Sequence, residues 1–495
     1  MSKAIVCACE DVSSGDIQRA LRSGQRDIES IKRVTGFGTG PCQGKSCLST
    51  VAALLAQESP ATSGGDPPFT PRPPLLPTEL SLLASVPPQP ASDADSAGPF
   101  LAIRSAAPPQ DAPPLPERAR IVIIGGGIMG LALAHFLAQA GERDVVVLEK
   151  SYLCAGASGR NGGGVRMQWN SPWNIELAMR SIALMKTFAR DTGMNVWLRQ
   201  GGYLFLARNA QVAQKLERSV TLQQRYGLKT QILTPAAAKD VVPHLTCQGV
   251  VSCAYNPEDG VVFPWPFLWG YANTCAKAGI RVETFTEVTG FRRQENRITH
   301  VMTNRGEIAC DEVVLATGAW SPEVASLADV VLPNRPYRHE ILSTEPLKPF
   351  LAPLVSVLDS GLYFSQSMRG ELVGGMGDRQ EPSGLRMGSS LRFLQRFSEA
   401  LLEQAPQLGR LKVVRQWSGC YDVTPDNQPI LGRTPSLPNL LHMSGFVGHG
   451  FMMAPALAER MAQWLLGRTS DDLFERFSLD RFTRGTLTHE DMVIG

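Results

Sequence analysis

Residues 120–130 read Arg120-Ile121-Val122-Ile123-Ile124-Gly125-Gly126-Gly127-Ile128-Met129-Gly130, a β-branched run entering Gly-x-Gly-x-x-Gly. Gly125 permits a tight turn, and Gly127 lets the backbone approach a pyrophosphate. Gly130 lets a helix pack on the strand, so that the helix N-terminus faces the phosphates. Alone this fingerprint is weak. A second strand-like run, Val145-Val146-Val147-Leu148, ends in Glu149, 19 residues beyond Gly130. That spacing suits a carboxylate accepting ribose hydroxyls. The two features together predict a βαβ unit that binds a dinucleotide, with FAD and NAD both open at this point.

Around this unit lies a chain of 495 residues, enough for two to four folding units at roughly 150 residues each. Lys plus Arg total 48 against 46 Asp plus Glu, a balance that argues against a nucleic-acid binder. No apolar signal segment opens the chain, and the long apolar run 121–140 is broken by glycines, so a soluble cytoplasmic protein without a membrane span is expected. In that compartment ten cysteines point to metal or redox use rather than disulfides. Sixteen of the 36 prolines fall within 58–117. This composition reads as a flexible linker with a span of about 40 Å, although Leu80-Ser81-Leu82-Leu83 admits a docking helix. The expected divisions are a module over 1–57, the linker, and a main body over 118–495.

In the first module, apolar Ile17, Ala20 and Leu21 precede Gly24, and Ile28, Ile31 and Val34 precede Gly36, which predicts two short helices. Cys7 and Cys9 form one close pair, and Cys42 and Cys47 another, with Gly38, Gly40 and Gly44 around them. Four thiolates brought together this way suit either a [2Fe–2S] cluster or structural zinc. The run Cys7-Ala8-Cys9-Glu10-Asp11-Val12, with Gly15-Asp16-Ile17, Ile31-Lys32-Arg33, Thr35 and Gly40-Pro41-Cys42-Gln43-Gly44-Lys45-Ser46-Cys47, resembles the bacterioferritin-associated-ferredoxin-like [2Fe–2S] domain. The resemblance implies a one-electron carrier ligated by Cys7, Cys9, Cys42 and Cys47. The remaining six cysteines show no ligand spacing and read as buried thiols.

Farther along come Val313-Val314-Leu315-Ala316-Thr317-Gly318-Ala319-Trp320, then Thr424-Pro425-Asp426 with Pro429-Ile430-Leu431-Gly432, and Ser444-Gly445-Phe446-Val447-Gly448-His449-Gly450-Phe451-Met452. With 125–130 and Glu149 these resemble the D-amino-acid-oxidase-like flavoproteins, most closely sarcosine oxidase β-type subunits. The resemblance implies an α/β fold: a Rossmann-type FAD-binding domain (about 118–200, 271–335 and 408–480) with an inserted mixed β-sheet substrate domain (about 201–270 and 336–407), preceded by the small helical iron–sulfur module. It assigns Gly125, Gly127, Ile128, Met129, Gly130 and Glu149 to FAD, followed by Lys150, Ser158, Arg160, Asn161 and Gly162. Val288, Ala316, Thr317 and Gly318 belong to the same set, as do Gly445, Gly448, His449, Gly450, Phe451 and Met452. Met452 stands where monomeric sarcosine oxidases carry Lys, which leaves the helix N-terminus to stabilise reduced flavin without a fixed cation. No flavin-linking His occurs in 160–166, so FAD is expected to bind non-covalently.

The resemblance further implies oxidation of a C–N bond in an amino acid, imino acid or opine by hydride transfer to flavin N5. Such a site needs a cation for the substrate carboxylate and a dry pocket. Candidates are Arg166, Arg338, His339, Tyr363 and Tyr421, although an Arg at a strand end is more often salt-bridged and a Tyr can be core. With a cluster domain fused in front, the expected function is a dehydrogenase subunit. It would work beside a second, flavin-containing α subunit and pass electrons to a respiratory or dye-type acceptor. An oxygen-using oxidase and a non-catalytic electron-transfer or assembly subunit are the alternatives.

Overall fold

A computed structural model describes residues 4–25, 27–58, 69–70, 72–90, 112–490 and 492. The glycine motif folds as the spacing predicts. Strand Arg118–Ile124 turns through Gly125, at φ 113°, into helix Ile128–Gln139, which leads to strand Val145–Leu148. The two strands pair in parallel, Ile121 opposite Val145 and Ile124 opposite Leu148. A Cβ on Gly130 would meet the Gly125 carbonyl oxygen at 2.0 Å, so the close helix–strand crossing requires glycine there.

An eight-stranded sheet grows from this unit. On one side Val145–Leu148 pairs with Arg281–Glu283, and on the other Arg118–Ile124 pairs with Gly306–Leu315, which also pairs in parallel with Leu437–Ser444. Helix Gly450–Leu465 packs against Ile128–Gln139 across a fully apolar face. The second sheet has nine strands, in the order Thr78–Glu79, Lys412–Val423, Arg335–Pro346, Glu371–Met376, Leu362–Gln366, Leu354–Val357, Tyr203–Ala207, Ser252–Asn256 and Gln231–Leu233. Lys412–Val423 thus lies in the substrate sheet, whereas a FAD-binding segment was expected from about 408. The chain returns to the first sheet only at Ile430–Thr434.

The N-terminal module has three helices, Ser14–Arg22, Ile28–Thr35 and Leu48–Glu58. Ser13 and Asp16 close a reciprocal capping box on the first, and Gly36 ends the second at φ 80°. Most of the Pro-rich 58–117 stretch lies outside the described residues. Where it is described, the expectation of a free tether is corrected. Thr78–Glu79 adds an edge strand to Lys412–Val423, covering a sheet edge. Helix Leu80–Ala84 then buries Leu80 and Leu83 on helix Leu391–Gln404.

The module itself is docked as well. Arg33 donates to Tyr152 Oη at 3.0 Å, with its guanidinium 4.8 Å from the Tyr152 ring and 5.6 Å from the Trp265 ring. Gln43 Nε2 donates to the Val414 carbonyl at 3.1 Å, and Glu10 pairs with Arg369. Among the described residues no helix is long and apolar enough to cross a membrane.

Candidate flavin and substrate site

A cavity of about 590 Å³ lies between the two sheets, within the size range of small-molecule and cofactor sites. One end is the glycine turn. Gly127 begins helix Ile128–Gln139 without a side-chain cap, and the Ile128 amide donates to Ser158 Oγ at 3.0 Å. Glu149 stands at the end of its strand, as the spacing predicts. Its two carboxylate oxygens accept from the amides of Gly126 and Ser151, both at 2.9 Å. Burial pushes its pKa above the ordinary carboxylate value. Lys150 sits 4.5 Å from the centre of the Trp320 ring, and Val288, Ala316, Thr317 and Gly318 line the same end.

The middle wall is the 157–162 loop. Two indoles hold its backbone: Trp265 Nε1 donates to the Gly159 carbonyl and Trp417 Nε1 to the Arg160 carbonyl, each at 2.8 Å. Arg160 Nε donates to the Ala155 carbonyl at 2.6 Å. Because Trp265 also underlies Arg33, the N-terminal module touches the residues that fix this wall. Asn161 and Gly162 complete the lining.

At the far end Gly448, His449, Gly450, Phe451 and Met452 open helix Gly450–Leu465 toward the cavity. His449 is 2% exposed, and neither ring nitrogen has a hydrogen-bond partner. Burial pushes its pKa down to about 3, so the imidazole is neutral. Asp422 accepts from the Gly445 amide and Asn334, and burial pushes its carboxyl up to about 7. A long polyanionic dinucleotide suits such a lining: a helix N-terminus at each end, a carboxylate for the ribose, and an unpartnered imidazole.

Four of the five proposed substrate residues meet here. His339 stacks on Tyr421 at 4.5 Å and 9°, and His339 Nε2 lies 3.0 Å from Tyr363 Oη. Burial pushes His339 down to about 4. Arg166 is 2% exposed, lines the cavity and donates to the carbonyls of Gln168 and Met492. Arg338 is the exception and corrects the expectation. On strand Arg335–Pro346 its neighbour His339 faces the cavity, so Arg338 projects to the opposite face. There it forms a paired contact with Glu381 at 3.0 and 2.9 Å. Gly130 and Gly445 also fall outside the lining. Gly130 serves helix packing, and Gly445, at φ 77°, would place a Cβ 2.5 Å from Thr424 Cγ2.

Three further lining residues, Tyr203, Asp422 and Cys154, were not legible in the sequence. Tyr203 sits in the buried strand Tyr203–Ala207, where a lining tyrosine looks like any core aromatic.

The four N-terminal thiols lie close enough to act on one another, Cys42 and Cys7 on Cys9 and Cys7 and Cys42 on Cys47. Burial, with Cys7 beside it, pushes Cys47 up to about 12. A Cβ on Gly40 would lie 2.4 Å from Cys9 Cβ, and the Phe69 ring fills the space over Gly38 and Gly44. Among the described residues no group of three or more His, Cys, Asp or Glu side chains is disposed to hold a metal ion.

Family models match two parts of the chain. Residues 120–464 match the DAO family model, FAD dependent oxidoreductase, and residues 1–86 match the sarcosine oxidase A3 domain. The second match takes the place of the expected ferredoxin-like family, which no comparison supports, and it reaches through the docked helix Leu80–Ala84. The chain is 32% identical over 375 residues to sarcosine oxidase subunit beta of Rhizobium meliloti, spanning 75% of this chain and 90% of the relative. To the Rhodobacter capsulatus subunit it is 29% identical, spanning 77% and 92%. The solved L-proline dehydrogenase of P. horikoshii superposes with a TM-score of 0.72 at 35% identity, covering 75% of this chain and all of that one. Glycine oxidase from Geobacillus kaustophilus superposes at 0.68 with 26% identity, covering 74% and 99%. The glycine turn, the carboxylate behind it and the match across 120–464 agree, and the chain belongs to the DAO family of FAD-dependent oxidoreductases.

Proposed function

We propose that the chain oxidises the C–N bond of a small amino acid, imino acid or opine, with FAD held non-covalently in the interdomain cavity. The observation that carries this reading is Arg166: a buried cation on the cavity wall, bonded to two carbonyls and to no carboxylate among the described residues. A buried charge without a counter-ion is costly, so the place suits the carboxylate of a substrate. Gly125, Gly127, Ser158 and Glu149 would hold the dinucleotide's phosphates and ribose, and Gly448, His449 and Met452 the far end of the flavin. Bound there, FAD supplies a two-electron acceptor for the C–H bond beside the substrate nitrogen. The protein's own task is to present a neutral amine. Burial and the positive charge of Arg166 both disfavour an ammonium in the pocket. His339 and His449, kept neutral by burial, add no further cation. His339 Nε2 with Tyr363 Oη is the polar pair available to hold the amine proton at the substrate end.

The electron acceptor is proposed to be a one-electron carrier reached with a flavin-containing α-type subunit, in hetero-oligomeric form. The "subunit beta" names of the relatives and the A3-type module favour this. Cys7, Cys9, Cys42 and Cys47 are the donor set for a [2Fe–2S] centre in that route, supported by the proximity through which Cys42 and Cys7 act on Cys9 and Cys7 and Cys42 on Cys47. Iron and sulfide analysis after anaerobic reconstitution, with Cys42→Ser as comparison, tests the centre. Turnover of sarcosine, proline, hydroxyproline, glycine and an opine with an artificial dye, under argon and under air, tests the function. Dye reduction under argon that Arg166→Met abolishes supports it. Oxygen consumption matching dye reduction points to the oxidase, and no turnover with any member of the panel overturns the reading.

A further inference from the structure

After helix Arg481–Arg484 the chain runs along the surface and then dives back into the flavoprotein: Thr486, Leu487 and His489 are exposed, whereas Glu490 is 0% and Met492 3% exposed. The Glu490 carboxylate accepts from Ser171 Oγ and Asn174 Nδ2, both at 2.8 Å, and from the Met492 amide at 3.0 Å. Its backbone is fixed in turn, the amide to the Asp426 carbonyl at 3.3 Å and the carbonyl to Asn427 Nδ2 at 3.3 Å. This anchorage delivers the Met492 carbonyl to Arg166 Nη2. The other arm of the guanidinium bonds the Gln168 carbonyl, and its carbon lies 3.6 Å from the centre of the Trp169 ring.

Two carbonyls and an aromatic face fix the plane of a guanidinium without neutralising it. A carboxylate in their place would cancel the charge and remove the site's use for an anion. Glu490 and Asp259 act on Arg166 through space, and no carboxylate bonds it directly among the described residues. Glu490 satisfies itself on neutral donors of Ser171 and Asn174, so it anchors the segment and leaves the arginine's charge available. We propose that Glu490 and Met492 form a positioning element of the substrate site, holding Arg166 in the orientation that receives the substrate carboxylate. This inference rests on the reading of Arg166 given above. It assigns specificity for an anionic substrate to a segment 326 residues away from Arg166 in sequence (Arg166 to Met492).

The test uses the FAD-loaded full chain, with propanoate as an unreactive carboxylate and propanamide as its uncharged counterpart, both read by perturbation of the flavin absorbance. Compared with it are a chain ending at Gly485 and the variants Glu490→Ala, Glu490→Gln and Arg166→Met. Loss of a charge-assisted contact predicts that propanoate Kd rises about tenfold or more in the shortened chain and in Glu490→Ala. In Glu490→Gln, which keeps one acceptor, the rise is about threefold, and propanamide shifts by less than about twofold throughout. FAD content and the thermal midpoint of Glu490→Gln report the fold independently of binding. If propanoate binds the shortened chain and Glu490→Ala as it binds the parent, while Arg166→Met alone loses it, the positioning role is overturned and the carboxylate site stands. If Arg166→Met still prefers propanoate to propanamide, the carboxylate reading itself falls.

Discussion

Replacing Arg33 by Leu is the sharpest perturbation of the docked N-terminal module. Arg33 is 5% exposed and bonds Tyr152 Oη at 3.0 Å across the interface, while Glu29, 1% exposed, sits 3.5 Å from its Nη2. Against the upward push of burial, Lys32 and Arg33 hold Glu29 down to about 2, so Glu29 is charged at neutral pH. The substitution removes a charge-assisted hydrogen bond of about 1.5–3 kcal/mol. It also breaks a buried ion pair, a loss of about 3–5 kcal/mol that Lys32 softens by keeping its own 3.1 Å contact with Glu29. These terms overlap, and about 3–5 kcal/mol is expected against docking. Hydrogen exchange is the assay. Amides of helix Ile28–Thr35 and of the 157–161 loop under Trp265 should exchange about a hundredfold to several thousandfold faster, since each 1.4 kcal/mol is tenfold. Tyr152→Phe, which keeps the ring under the guanidinium, should show about tenfold. Exchange within about threefold of the parent in Arg33→Leu would refute the interface as the module's anchor, because so small a change is well under 1 kcal/mol.

Other expectations follow from the cavity wall. Glu149→Gln replaces the carboxylate proposed to meet the ribose, and FAD affinity measured by fluorescence quenching should fall about tenfold to a hundredfold. Asp422, pushed up to about 7 by burial, has a folded pKa above its unfolded value. Its contribution to stability is therefore full below about pH 4 and lost as pH rises toward 7. Asp422→Asn should flatten that part of a Tm-against-pH curve, and an unchanged slope contradicts the assignment. Arg338→Met should leave KM for the substrate within about twofold while lowering stability by about 1–3 kcal/mol through the unpaired Glu381. A large rise in KM restores Arg338 to the site.

What the sequence made legible was what backbone chemistry dictates. Gly125, Gly130 and Glu149 occupy positions that a strand–turn–helix–strand unit requires, and each lies where its spacing places it. Arg338 and His339 show the limit of residue type without parity. Both are plausible beside a substrate, and only the direction of the pleat decides that His339 faces in. Tyr203 carried no signal because a tyrosine among Leu and Phe in a buried strand reads as core. Over 78–84 the free-tether reading gives way to the docking helix that Leu80-Ser81-Leu82-Leu83 also admitted. Pro-rich composition reports low self-sufficiency, yet Leu80 and Leu83 need only a partner surface, and helix Leu391–Gln404 supplies one. The four cysteines were expected to ligate a cluster, and spacing alone is silent on whether their sulfurs are disposed to hold a metal; among the described residues no such group is found.

The central claim is that an anionic amine substrate, seated against Arg166, delivers its electrons to FAD in the interdomain cavity. An anaerobic absorbance titration of the FAD-loaded chain with sarcosine, proline, hydroxyproline, glycine and an opine tests it most directly. The account predicts that at least one of these bleaches the flavin band in the parent protein and fails to do so in Arg166→Met at the same concentration. A fully loaded flavin that no member of the panel bleaches, or that bleaches equally in both proteins, contradicts it.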